Sequence, residues 1–181
     1  MPNVTLMTAD SAPLTAKPYF ASGDVSPIVA ALALVPEFLS AALPMLGTVL
    51  GDSSLPERWK EIVVLRASAK NGCRYCIDAH TVVAREAGLT PAETAALRLE
   101  GAYPETFDAR ERAIGDFTDA LCDRPAEAVA FLRPYFEEYQ IVELVTVGSL
   151  TIMLNKFATS LGLPTSVATE AFLRNEGLVT A

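Results

Sequence analysis

The chain has 181 residues, 51% of them hydrophobic and 20% charged, a balance that fits one folded domain with a real core and excludes a disordered chain. A net charge of -8 argues against a nucleic-acid backbone or an acidic membrane surface as partner. The opening MPNVTLMTAD lacks the basic start and apolar run of a signal peptide, so a cytoplasmic location is expected. In that compartment a CxxC is more often catalytic or metal-binding than structural.

Residues 1–26 are rich in Pro, Ser, Thr and Ala without a clear period and read as an N-terminal arm before a helical domain over residues 27–181. Residues 27–50 are the most apolar stretch, but Pro27, Pro36, Pro44 and Glu37 interrupt it. No run in it approaches the roughly 20 residues a membrane helix needs. Short helices are expected over 28–35 and 37–50, split at Pro36. The segment SLPERWKEIVVLRASAKNG predicts a helix with Ser54 and Glu57 as a capping box, Pro56 in the first turn and Asn71-Gly72 at the end. On it Ile62, Leu65 and Ala69 mark the buried face.

A further helix is expected from about Cys73 to Ala87, stopped by Gly88. Thr90, Pro91 and Glu93 open another, ending near Glu100-Gly101. Phe107, Ile114, Phe117 and Leu121 recur at helical spacing over 107–123, and breaks follow at Arg124-Pro125 and Pro134. The last long helix spans 138–162, its length outweighing its β-branched content. The fold class is therefore all-α. EIVVLRASAKNGC and QIVELVTVGSLTI are faintly similar, a hint of two related halves.

The chemistry concentrates in NGCRYCIDAH, which carries two of the three cysteines and the only histidine. At about 100° per helical residue, Cys73, Cys76 and His80 fall within about 60° of arc. Cys76 and His80, four apart, are surface neighbours on such a helix. A thiol in a helix's first turn meets the positive end of the macrodipole, which favours thiolate, and a nearby imidazole can take the thiol proton. The pieces suit a dithiol–disulfide cycle. A zinc site ranks second, because a closed site wants four ligands and the chain offers no second CxxC or spare histidine. Small core residues rank third. The CxxC is similar to that of thioredoxin, but here a helix, not a strand, precedes it.

Glu61 lies twelve residues before Cys73. The pattern Glu61-x11-Cys73-x2-Cys76-x3-His80 resembles the signature of the alkylhydroperoxidase D-like proteins of the carboxymuconolactone decarboxylase superfamily. The resemblance is strongest over residues 56–100 and extends through residue 162, where IVELVTVGSLTIMLNKF looks like the family's closing helix. It implies an all-α homo-oligomer with the cysteines in a pocket. It implies Cys76 as the thiolate that attacks a hydroperoxide, Cys73 as the resolving thiol, and His80 with Glu61 as the proton relay. No bound cofactor is implied: a Cys73–Cys76 disulfide carries the electrons and an external thiol or lipoyl-type donor restores it. One position departs from the pattern. Tyr75 stands where the best-studied members carry a histidine, and a phenol is a poor base near neutral pH. The relay is thus reduced to Glu61 and His80, and Tyr75 reads as packing or a substrate contact.

Two other functions fit the scaffold. One is lactone processing or decarboxylation with His80 and Glu61 as acid and base; the other is a redox-sensing module that does not turn over. Among the remaining residues, Cys122 is expected in the core, ETFDARER (105–112) on a solvated face, and Trp59 in helix packing. Glu143 and Asn155 are polar residues in an apolar helix, able to reach the pocket or to satisfy hydrogen bonds elsewhere.

Overall fold

A computed structural model describes residues 2–21 and 25–178. Among them are nine α-helices and no strand: α1 Pro27–Leu32, α2 Pro36–Leu50, α3 Glu57–Lys70, α4 Arg74–Glu86, α5 Pro91–Leu97, α6 Ala109–Asp123, α7 Pro125–Leu132, α8 Glu138–Leu161 and α9 Val167–Asn175. Helix α3 is the axis of the bundle and packs against α4, α5, α6 and α8. Enclosure on most sides explains why one expected face proved too narrow. Residues 60–65 are all buried, while Ala69 is only half-buried. The two segments that looked alike in sequence are α3 and α8, and they pack on each other.

Ion pairs pin α3 to its neighbours. Arg58 bonds Glu93 of α5 at 2.8 Å, Glu111 of α6 at 2.6 Å and the Gly88 carbonyl at 3.0 Å. Arg66 grips Asp119 of α6 through two bonds of 2.7 Å. Such two-pronged contacts fix register as well as supplying energy. They also narrow one expectation. Within 105–112, residues 105, 106 and 108–110 are exposed, but Phe107 and Glu111 are buried, Asp108 caps α6 in a box with Glu111, and Arg112 bonds the Pro104 and Phe107 carbonyls. Trp59 meets Phe136 edge-on at 5.4 Å, as a packing residue should.

Other boundaries shifted for local reasons. Ser54 does not cap α3, because its hydroxyl donates to Glu143 at 2.7 Å, and Pro56 becomes the N-cap. Helix α5 stops at Leu97, where Leu99 takes φ +66. Helix α9, opened by a Ser166 cap, lies in the expected helical domain beyond the last helix given bounds from the sequence. The arm packs on its own domain. Ala12, Ala16 and Phe20 join Ala33 and Leu39 in a small core, and the Asn3 amide hydrogen-bonds the Leu161 carbonyl at 2.8 Å.

Helix α8, 24 residues with an 18-residue stretch of mean hydropathy 1.4, is long and apolar enough to span a membrane by length and composition. It is instead packed against α3, α4 and α6. Its glycine has a packing reason: a Cβ at Gly148 would strike Leu121 of α6.

Candidate active site

The site is built where α3 turns back into α4. Gly72, at φ +65, makes the reversal, and the Cys73 amide reaches back to the Ser68 carbonyl at 3.0 Å. Cys73 is thereby outside the helix, as the N-cap of α4, with its sulfur accepting from the Cys76 amide at 3.4 Å. Cys76 lies in the first turn, three residues on, where the helix dipole favours negative charge. The two cysteines form a disulfide with Cα atoms 5.3 Å apart. Both are buried, in a cluster with Ala31, Ala158 and Leu163, against which Leu6 of the arm and Tyr75 pack.

The same hairpin sets Glu61 of α3 against His80 of α4. Nδ1 of His80 lies 3.0 Å from Oε2 and 3.3 Å from Oε1 of Glu61, whose side chain is 7% exposed. A carboxylate can only accept here, so Nδ1 carries the proton and Nε2 is left free to take one. His80 and Cys76 line one cavity of about 60 Å³, together with Tyr75, Ser68, Thr151, Asn155 and an apolar wall that includes Val64, Leu50 and Leu154. Cys73 is not among the lining residues.

Tyr75 and Ala79 stand between this cavity and a shallower recess of about 190 Å³, bordered otherwise by Ser26, Pro27, Thr165, Ser166 and Thr169. Burial pushes the Tyr75 phenol up, against hydrogen bonds from Ser26 and the Ile28 backbone, so it stays a neutral hydroxyl. Asp78, on the far side of α4, accepts from Arg74 and from Thr165 at 2.7 Å each, which ties α4 to the approach to α9.

The structure thus brings Cys76, His80 and Tyr75 to one cavity, with Cys73 bonded to Cys76 and Glu61 bonded to His80 outside its lining. It separates Glu143 and Asn155 of α8. Asn155 reaches the cavity, whereas Glu143 is occupied by Ser53 and Ser54 at 2.8 and 2.7 Å. Cys122 is half-buried, not core, and its sulfur accepts weakly from Asn71. Among the described residues no three His, Cys, Asp or Glu side chains converge as metal ligands. Sequence reasoning missed Ser68 and Thr151. The available signal was helical spacing: Ser68 lies seven residues after Glu61 on α3, and Thr151 four before Asn155 on α8.

A family model for the carboxymuconolactone decarboxylase family matches residues 36–115. Alkyl hydroperoxide reductase AhpD of Azorhizobium caulinodans is 39% identical over 85 residues, 46% of this chain and 46% of that protein. A peroxidase-related protein from Ralstonia eutropha JMP134, described as an alkylhydroperoxidase AhpD core, superimposes with a TM-score of 0.81 at 21% identity, covering 99% of this chain and 98% of its own. The debrominase Bmp8, solved with 2,3,4-tribromopyrrole, does so at 0.78 and 19%, covering 95% and 96%. A family model over residues 36–115, an AhpD relative matched over part of its length and an AhpD-like fold make the chain similar to the alkylhydroperoxidase D-like proteins of the carboxymuconolactone decarboxylase superfamily.

Proposed function

We propose that the protein is a thiol-dependent peroxidase that reduces alkyl hydroperoxides through a Cys73–Cys76 dithiol–disulfide cycle. One observation carries the reading: Cys76, already paired with Cys73, shares a cavity with His80, and buried Glu61 holds His80 at 3.0 Å. In the reduced protein His80 Nε2 takes the Cys76 proton, and the imidazolium so formed faces the Glu61 carboxylate. The Cys76 thiolate attacks the terminal peroxide oxygen and becomes a sulfenic acid; the alkoxide leaves and takes the proton from His80. The Cys73 thiol then displaces water and closes the disulfide. Cys73 suits the resolving role because it lies off the cavity yet within bonding reach of Cys76.

The apolar wall of Leu50, Val64 and Leu154 suits an alkyl substituent. Tyr75 is the substrate-contacting wall, and the hydroxyl-lined recess behind it is the approach for the external thiol or lipoyl-type donor. On the far side Leu154 also borders an open apolar groove with Phe38, Met45 and Met153, which are 65%, 52% and 53% exposed. A contiguous apolar face of this kind supports self-association into a homo-oligomer.

Cys76→Ser tests the assignment. It abolishes thiol-dependent hydroperoxide consumption. Retained hydroperoxide turnover in that variant would refute the reading, and lactone turnover that survives the substitution would favour acid–base chemistry at His80 and Glu61.

A further inference from the structure

Asn155 is a polar group of this cavity outside the Glu61–His80 relay. It is 1% exposed. Its Nδ2 donates to Ser68 Oγ at 3.0 Å, and Ser68 is itself fully buried on α3. Its Oδ1 is buried without a hydrogen-bond partner. The neighbouring hydroxyl, Thr151, is turned back onto the Val147 carbonyl at 2.8 Å. Buried amide oxygens in native proteins are rarely left unpaired, and those that are call for an explanation.

The cavity supplies one. Asn155, Cys76 and His80 all line it, and about 60 Å³ holds a group the size of one or two waters. A hydroperoxide head, R–O–O–H, is of that size and carries a single donor, its terminal O–H. We propose that Asn155 is a substrate-positioning residue: its Oδ1 accepts the hydroperoxide O–H and presents the terminal oxygen to Cys76. Ser68 fixes the amide so that it cannot turn away. This inference rests on the peroxidase reading and adds the residue that orients the peroxide. Orientation decides the outcome of the step. The bond that forms is S–O to the terminal oxygen and the bond that breaks is O–O. Sulfur gives up two electrons, the sulfenic acid keeps the O–H that Asn155 held, and the alkoxide takes the His80 proton to leave as an alcohol.

The test compares two oxidants on pre-reduced wild type, N155L and N155A. Cumene hydroperoxide requires its O–H to be held; 5,5′-dithiobis(2-nitrobenzoate) oxidises the same dithiol by exchange and has no such group. Each rate is read as the loss of two hydrogens in quenched intact-mass samples. The proposal predicts that the peroxide rate constant of both variants falls by about tenfold or more, as expected for a lost hydrogen bond in a transition state, while the exchange rate stays within about twofold. Parallel falls with both oxidants overturn it, because they mark a structural role. A peroxide rate equal to wild type also overturns it, and leaves the peroxidase reading intact. A wild-type dithiol that exchanges with the disulfide reagent yet ignores the peroxide overturns both. N155A keeps the test available if N155L folds poorly, since the two rates are compared within one variant.

Discussion

Glu61→Gln removes one charge from the centre of the site and almost no volume. The bond it weakens is 3.0 Å long, and the Glu61 side chain is 7% exposed, so little solvent screens it. A hydrogen bond to a charged group contributes about 1.5–3 kcal/mol. In the ground state a neutral imidazole makes only part of that contact. In the proton-transfer step His80 becomes cationic, and the full interaction develops. Because about 1.4 kcal/mol is tenfold in rate, the peroxide reaction of E61Q should be slower by about ten- to a hundredfold. The assay is single turnover: pre-reduced protein, excess organic hydroperoxide, acid quench and intact mass. Glu61 and His80 act as one unit in this scheme, so E61Q/H80Q should be scarcely slower than H80Q alone. An E61Q rate within about twofold of wild type, or costs that multiply in the double variant, would refute the relay.

Three further outcomes follow from the same structure. In the reduced protein Cys76 should alkylate faster at pH 7 than Cys122, whose thiol burial pushes up; a Cys76 pKa at or above the free value of about 8.5 would count against its activation. Burial alone would raise the Glu93 carboxyl, but Arg58, the Thr90 backbone and the Thr106 hydroxyl hold it at about 2 against an ordinary 4.5. A carboxyl lowered on folding contributes stability that is complete above pH 4.5 and lost as pH falls through about 2. Wild type should therefore lose up to about 3 kcal/mol in that window and E93Q much less, as read by urea unfolding at each pH; equal losses would contradict the Arg58–Glu93 account. Tyr75→Phe should leave peroxide turnover close to wild type, because the hydroxyl bonds Ser26 and Ile28 and transfers no proton. Tyr75→Ala should raise KM by opening the wall; a large loss of kcat in Y75F would instead give the phenol a chemical role.

Where local chemistry decides, the sequence was legible. Thr90-Pro91 with Glu93 forms the expected capping box, Gly72 makes the expected left-handed turn, and Gly162 closes α8 at φ +60. The spacing from Glu61 to His80 was enough to bring both to one place, because a tight turn at residues 71–73 folds α3 back on α4. Long-range partners were not legible. Ser54 has a sound local capping pattern, but Glu143, 89 residues away, takes its hydroxyl. Asp108 and Glu111 also spell a capping box, yet among charged neighbours they read as a solvated face until Arg58 of α3 was placed beside Glu111. Asn155 was visible as a polar interruption of an apolar helix. Its destination depended on Ser68, across the bundle on α3. Helix α9 is nine residues long and its length alone gives it little periodic signal.

The central claim is a peroxidatic Cys76 resolved by Cys73. Its most direct test is the intact mass of reduced wild type and Cys73→Ser before and after a single equivalent of an organic hydroperoxide. The account predicts loss of two hydrogens in wild type and, in the variant, one added oxygen that a sulfenic-acid trap locates at Cys76. Both proteins remaining fully reduced would contradict it.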